Sequence, residues 1–368
     1  MNAIKSEPNL KMQLICCGAM LLERFGKAID LVASDGFQID SQIHMEVEGG
    51  QPQTMSKSVG LGIIEFTSEF ERLAPDIVLV IGDRYEALSA VVAAAMVNIP
   101  IAHIQGGEVS GSIDESIRHV ITKFSQLHFP ATERAAHFIR QMGELPEDVH
   151  NVGCPSGDEI TRIDYSLPLN GSDLPGVGAE IDLNKPFFLV IFHPNTTDVN
   201  SQATQTRTLI KAIEQAECQT IWVWPNIDAG ADDISKELRR YRETKPNDWL
   251  RLVKNLESTL FIKLLAKADC LIGNSSSFVR DSSFTGTPVV LVGDRQSRRE
   301  HGQNVITCDV NTEQITSAIK FQMNHGSYLT ENLYGDGNAS ERIVGLIKSF
   351  KPYNQKRLAY LDENLPNN

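Results

Sequence analysis

The segment at residues 75–119, PDIVLVIGDRYEALSAVVAAAMVNIPIAHIQGGEVSGSIDESIRH, leaves this chain few ways to fold. Residues 77–81 and 100–104 are short apolar runs with the length and β-branching of buried parallel strands. Between them, residues 87–98 are Ala-rich, lack Gly and Pro, and predict a helix. Polar residues begin where each apolar run ends. The first delivers Gly82, Asp83 and Arg84; the second delivers His103, Gln105, Gly106, Gly107 and Glu108. In an open α/β sheet, ligands bind outside the carboxyl ends of the strands, so both clusters should face one crevice.

The same strand-loop-helix order recurs along the chain. Upstream, strands are expected at 12–17 and 39–47 and helices at 21–33 and 54–73. Downstream come a helix at 116–124, a strand at 128–130, a helix at 132–142 and a strand at 149–152. Residues 164–185 are rich in Gly, Pro and Asp and mark a linker. A second α/β unit starts at Pro186. Its strand at 187–192 runs into His193, the strand at 220–224 into Asn226 and Asp228, the strand at 270–273 into Asn274-Ser275-Ser276-Ser277, and the strand at 288–293 into Asp294-Arg295-Gln296. Helices at 206–216, 234–242 and 259–267 and a strand at 250–253 complete that unit. A helix over 339–361 should close the structure. The expected fold is α/β: two doubly wound Rossmann-like domains facing across a cleft, residues 1–163 completed by 345–368 and residues 164–344.

A formal net charge of −13 argues against a nucleic-acid partner and against docking on anionic membrane, so a basic site has to be local, as at Ser297-Arg298-Arg299. The six cysteines form no CxxC and have no His at zinc spacing, which predicts buried thiols, a reducing cytoplasmic setting and no metal site. The first residues lack a signal-peptide core, and the most apolar window is broken by Ser89, Asn98 and Pro100.

Asn274-Ser275-Ser276-Ser277 sits between a strand and a helix, where hydroxyls either cap the first N–H groups or help hold a phosphate. Arg295 after the next strand favours a diphosphate. Asp83 and Arg84 fit an ion pair or helix cap as well as a site. Gly106-Gly107 fits a tight turn or close approach to a ligand. Asp114, Glu115, Arg118 and His119 lie near a helix start, where acids are favoured by the dipole in any case. There is no P-loop and no GxGxxG after a strand. Taken together, the loops describe a two-domain protein that binds a phosphorylated ligand and has carboxylate and imidazole groups for proton transfer.

Seven segments in order, GDRYEAL, HIQGGEVSGSIDESIRHVITK, GCPSGDE, FHPNTTD, PNIDAG, GNSSSFVRD and GTPVVLVGDRQSRRE, resemble the hydrolysing UDP-N-acetylglucosamine 2-epimerases. The branch is the one that supplies N-acetylmannosamine and UDP for sialic-acid-type sugars. The resemblance implies the GT-B type of two-Rossmann-domain fold, no metal or nicotinamide cofactor, a UDP-sugar substrate, and a homodimer or homotetramer. It implies nucleotide and diphosphate contacts at Arg84, His193, Asn226, Ser275, Ser276 and Arg295, with His193 also helping the diphosphate to leave, and acid-base carboxylates at Asp83 and Asp114. The family reaction removes the sugar C2 proton while UDP departs from C1, and water then adds to the resulting 2-acetamidoglucal.

Four positions depart from the pattern. Gln105 stands where many relatives carry a glutamate, leaving it a hydrogen-bonding role and Glu108 as the substitute carboxylate. Asp281 replaces a glutamate that grips the ribose, Asn255 a common histidine, and Met20 another. These departures make 2,4-diacetamido-trideoxyhexose nucleotides a rival substrate, and a non-catalytic nucleotide-sugar binder a further alternative. The family also opens with a strand and an Arg-Ala-Asp-Tyr-like loop ahead of the first helix. Met1 falls inside that helix, so the expectation is a truncated chain with a slot in its first sheet, unstable and nearly inactive as written.

Overall fold

The structure, a computed structural model, describes residues 1–166, 169, 174–244 and 248–359. Its N-terminal half contains α1 (Asn2–Ser6), β1 (Ile15–Cys17), α2 (Ile29–Ser34), β2 (Ser41–Ile43), α3 (Pro52–Leu73), β3 (Val78–Ile81), α4 (Tyr85–Met96), β4 (Ile101–Ile104), α5 (Ile113–Phe124), β5 (Leu127–Phe129), α6 (Glu133–Gln141) and α7 (Pro155–Arg162). The C-terminal half contains β6 (Val177–Gly178), β7 (Phe187–Ile191), α8 (Gln202–Glu214), β8 (Gln219–Val223), α9 (Ala231–Thr244), β9 (Leu250–Val253), α10 (Ser258–Lys267), β10 (Cys270–Gly273), α11 (Ser276–Thr285), β11 (Val289–Val292), β12 (Val305–Cys308), α12 (Thr312–His325) and α13 (Ala339–Ser349).

The second half is a seven-stranded sheet in the order β12-β11-β10-β7-β8-β9-β6, parallel except for β6. Its central strand β7, FFLVI, is buried at every position, as a strand covered on both faces must be. Successive side chains point to opposite faces. Phe187, Leu189 and Ile191 enter one core cluster, while Phe188 and Val190 enter the other. The chain runs outward from β7 through β8 to β9, then returns to the other side through β10, β11 and β12. The order therefore reverses between β7 and β10, which places a ligand crevice at their carboxyl ends.

In the first half, β1 pairs in parallel with β2, and β3, β4 and β5 form a separate parallel sheet. No hydrogen-bonded strand joins β1 to β3 among the described residues, although Ile15 and Cys17 share one core cluster with Val78, Val80 and Ile101. The last helix returns to this half, with Ile343 of α13 packed among Ala102, Leu127, Phe129 and Val152.

Several boundaries differ from the sequence expectations. The helix expected at 21–33 is two 3-10 turns and the short α2, because Gly26 and Lys27 take positive φ (84° and 44°) and interrupt the helical path. The strand expected at 39–47 narrows to β2, and that at 149–152 to a single bridge between His128 and Val149. The closing helix stops at Ser349. Phe350 is extended ahead of Pro352, whose neighbour the proline ring keeps out of the helical region. The linker region carries β6, and residues 167–168 and 170–173 of it lie outside the described residues. The sequence reading passes over β12 and α12. The helix signal was present, since Asn311 caps α12 by accepting from the Glu313 and Gln314 N–H groups, and Ile315, Ala318 and Ile319 form its apolar stripe.

Candidate active site

The strand ends of the two halves meet in a cleft built from loop backbones in close contact. Gly111 N–H donates to the Arg295 carbonyl at 3.0 Å, and a Cβ on Gly111 would lie 1.8 Å from the Asp294 carbonyl oxygen. Only glycine allows that approach. On the second half, the loops after β7 and β10 are tied reciprocally. The His193 N–H donates to Asn274 Oδ1 at 2.7 Å, and Asn274 Nδ2 donates to the His193 carbonyl at 2.8 Å. This tie fixes the switch-point crevice.

The front of the cleft collects most of the residues singled out from the sequence. Arg84 donates from Nη1 to Asp228 Oδ1 at 2.5 Å and from Nη2 to Glu86 Oε1 at 3.2 Å, so it crosses between the halves. Asp228 also accepts from Asn226 Nδ2, leaving the buried Asn226 Oδ1 without a partner. His193 Nδ1 accepts from the Asn226 backbone N–H at 3.1 Å, which assigns the ring proton to Nε2. Burial, reinforced by Arg295 and Arg84, holds the His193 imidazole well below its ordinary pKa, so it is neutral. It can donate from Nε2 to an anion.

Arg295 is 8% exposed. Its Nη1 donates to the Asn274 carbonyl at 3.2 Å, its Nη2 donates to Asp114 Oδ2 at 3.1 Å, and its Nε has no partner. Ser275 caps α11 by accepting from the Ser277 N–H at 3.3 Å, placing the positive end of that helix beside Arg295. Asp114 stands in the first turn of α5, which Ser112 caps. Burial pushes its carboxyl above the usual range; Arg295 opposes this, and Asp83 and Asp228 add to it. Asp83 has the opposite environment. Burial works against its charge, but Arg118, Arg299 and Arg280 outweigh burial and hold it well below the usual carboxylate range. Arg118, only 1% exposed, donates to Asp83 Oδ2, to the Glu108 carbonyl at 2.6 Å and to Ser110 Oγ at 3.2 Å.

A second, deeper layer holds the remaining residues. Glu108 is buried with Oε2 at 3.3 Å from both Arg280 and Arg299, so its carboxylate serves those two cations from the other half. Ser276 Oγ accepts from Arg280 Nη2 at 3.0 Å. Gln105 has φ of +64° and donates from Nε2 to Cys154 Sγ at 3.1 Å; Cys154 Sγ meets Ser156 Oγ at 2.9 Å, and Ser156 Oγ donates to Asp281 Oδ1 at 2.6 Å. Burial pushes the Asp281 carboxyl up, against the pull of Arg280 and Ser156. Gln105 and Asp281 are thus joined to each other behind the cleft. His103 lies there too: buried, bonded to the Gly82 carbonyl at 2.8 Å and shifted down to about 3 by burial, it is a neutral core histidine.

Sequence reasoning did not single out Arg280 or the individual role of Arg299, gave Asp228 no role beyond its place at a strand end, and saw Arg118 only as part of a helix start. Arg118 is four residues after Asp114, a spacing that suggests a pair within α5. In the fold they part, Arg118 to Asp83 and Asp114 to Arg295. Beside the Arg84–Asp228 pair, a cavity of about 280 Å³ is lined by Arg24, Glu46, Thr54, Tyr85 and Ile227 among others. Glu46 accepts there from the Tyr85 hydroxyl at 2.9 Å. Among the described residues no cluster of His, Cys, Asp and Glu could hold a metal ion, and no helix is long and apolar enough to cross a membrane.

Comparison with known proteins gives the family and the fold. A relative from Legionella pneumophila, UDP-N,N'-diacetylbacillosamine 2-epimerase (hydrolyzing), is 35% identical over 93% of this chain and 89% of its own length. A GDP/UDP-N,N'-diacetylbacillosamine 2-epimerase (hydrolyzing) from Campylobacter jejuni is 33% identical over 84% of this chain and 79% of its own. The fold matches the crystal structure of UDP-GlcNAc 2-epimerase from Neisseria meningitidis bound to UDP-GlcNAc, with a TM-score of 0.73, 18% identity and 94% of each chain covered. The family model for UDP-N-acetylglucosamine 2-epimerase matches residues 2–348, and the chain belongs to that family.

Proposed function

We propose that this chain is a hydrolysing 2-epimerase of a UDP-activated 2-acetamido sugar, with the diphosphate held by Arg295, His193 Nε2 and the Ser275–Ser276 start of α11, and Arg84 and Asn226 completing the nucleotide site. The observation that carries this reading is Arg295 at the α11 N-terminus, facing Asp114 across the cleft. An anion-binding end and a proton-transfer carboxyl within one contact of each other suit a reaction in which a diphosphate leaves as a proton moves. Asp83 and Asp114 handle the protons. One takes the C2 proton as the C1–O bond breaks and UDP departs, leaving a C1=C2 double bond. Water then adds its hydroxyl to C1, and a proton returns to C2 on the opposite face. Asp83, clamped by Arg118 and Arg299, stays a carboxylate, whereas Asp114, pushed up by burial, is the better donor. Glu108 positions Arg280 and Arg299, and Asp281, bonded to Ser156 behind the cleft, reaches a ribose only if that bond opens.

For the sugar, we propose the 2,4-diacetamido-trideoxyhexose class, supported by the names of two relatives above 30% identity and by the cavity beside Arg84, which offers room and polar walls for a second acetamido group. UDP-N-acetylglucosamine, giving N-acetylmannosamine for sialic-acid-type synthesis, is the second reading, favoured by a 29% identical relative from Neisseria meningitidis. A cytoplasmic location and a homodimeric or homotetrameric assembly belong to the same proposal; the six cysteines, all unpaired, suit a reducing compartment. Incubation with each UDP-sugar, following UDP release and the C2 configuration of the product by NMR, tests both choices. Faster turnover of UDP-N-acetylglucosamine would reverse the order, and UDP release from neither would reject the enzyme.

A further inference from the structure

The Asp114 carboxylate occupies the position on Arg295 that a ligand phosphate would take. It accepts from Nη2 at 3.1 Å, beside a helix N-terminus and a buried Arg295 Nε that has no partner of its own. The two side chains are 14% and 10% exposed, so their contact is largely shielded from solvent and neither can simply swing away into water. A diphosphate that takes Arg295 through Nη2 meets this carboxylate, and two anions on one guanidinium in a dry cleft repel each other strongly.

We propose that the diphosphate of the nucleotide replaces Asp114 on Arg295, and that the displaced Asp114 carboxylate takes up a proton from solvent as the ligand binds. The inference rests on the nucleotide-diphosphate reading of this cleft. Its sign follows from the neighbours. Facing Asp114 are Arg295 on the second half, Asp228 on the loop after β8, and Asp83 and Arg84 on the loop after β3. Exchange removes the attraction of Arg295 and brings in a dianion, and both changes favour the neutral carboxylic acid. Asp83 and Asp228 act in the same direction, and only Arg84, already engaged by Asp228 and Glu86, opposes them. Burial has raised the Asp114 carboxyl before any exchange occurs. Binding would thereby convert a counter-ion into a general acid at the moment a diphosphate is present to leave, and the resting protein would keep Arg295 neutralised.

Calorimetric titration of UDP into the intact protein at neutral pH, in two buffers of different protonation enthalpy, reads the protons taken up per UDP bound. The phosphate of UDP contributes its own ionisation in every protein, so the comparison is with Asp114→Asn. The wild type should take up more protons than D114N, by an amount approaching about one. D114N should bind UDP about tenfold more tightly or better, because no charged competitor remains on Arg295. Asp114→Ser should behave like D114N if the effect is that of charge. Tight binding with equal proton uptake in wild type and both variants overturns the exchange and leaves the nucleotide site standing. Failure of UDP to bind any of the three overturns both.

Discussion

Arg118→Met is the sharpest perturbation of the cleft. The side chains are similar in length, so the change removes the charge and three donated hydrogen bonds, to Asp83, the Glu108 carbonyl and Ser110, with little change in volume. Asp83 then keeps Arg299, at 3.9 Å, and the more distant Arg280. Breaking a buried ion pair by removing one partner costs about 3–5 kcal/mol. At about 1.3 °C per kcal/mol for 368 residues, the melting temperature should fall by roughly 4–6 °C. Linkage then gives a signature that packing alone would not. Asp83 is depressed in the folded protein, so its pair stabilises fully above the unfolded carboxyl value of about 3.9 and is lost as pH falls toward the folded value. The gap in melting temperature between wild type and R118M should therefore be constant from neutral pH down to about pH 5 and narrow below about pH 4. The acid limb of kcat/KM should move to higher pH in the variant, since Asp83 protonates more easily. Arg118→Lys, which keeps the charge but not the fork, should fall between the two. Scanning calorimetry across pH with a parallel rate profile decides it. A gap below about 2 °C, or one that does not narrow in acid, would refute the assignment of Arg118 as the group that keeps Asp83 ionised.

Other expectations are cheaper to check. Gly111→Ala drives a methyl group into the Asp294 carbonyl, and a loss of roughly 2–4 kcal/mol should appear as a lower melting temperature, with activity falling in step as the loops separate. Gln105→Glu adds a second carboxylate to the buried Cys154–Ser156–Asp281 network, so it should destabilise the chain by several degrees and give no gain in turnover. His193 is held neutral, and its ring should show no titration by NMR from about pH 5 to 8, where an ordinary histidine has its midpoint near 6.5. Asp228→Asn leaves Arg84 with Glu86 as its only carboxylate partner and should weaken UDP binding about tenfold or more, measured by calorimetry.

The strands that carry the site were legible because a strand buried on both faces tends to be an unbroken apolar run, as β7, β10 and β11 are; β3 is apolar throughout although Ile81 is exposed, and β4 is apolar but for the buried His103. Their loops followed from the strand ends, so Asp83, Arg84, His193, Ser275 and Arg295 could be named before any geometry. Pairing between the halves could not. Asp114 to Arg295 spans 181 residues, Glu108 to Arg280 spans 172, and Arg84 to Asp228 spans 144, distances over which local periodicity carries no signal. Asp281 is the clearest case. The resemblance puts it where a glutamate grips the ribose, yet the fold turns it toward Ser156 of α7. Short irregular pieces such as β2, or the turns around Gly26 and Lys27, were misread because a positive φ at a lysine has no counterpart in composition.

For a chain of net charge −13 to hold a dianion, as proposed, positive charge has to be concentrated in one place. The cleft does this with five arginines, 84, 118, 280, 295 and 299, each within ion-pair distance of Asp83, Glu86, Glu108, Asp114 or Asp228. Unpaired, so many buried guanidinium groups would repel one another and demand solvation. Paired to carboxylates supplied mostly by the opposite half, they hold the halves together and remain available by exchange. The exchange is not equivalent at every pair. Glu108 is 4% exposed and serves two arginines at once, so displacing it would strand two charges. Asp114 serves one arginine, and its burial already favours the acid, so its release costs least. The same network therefore gives one pair that yields to a ligand and others that stay to fix the frame. That ordering predicts that Glu108→Gln should lower the melting temperature well beyond Asp114→Asn, by about 3 kcal/mol or more against about 1. The reverse ordering in calorimetry would remove the basis for choosing Asp114 as the exchanging group.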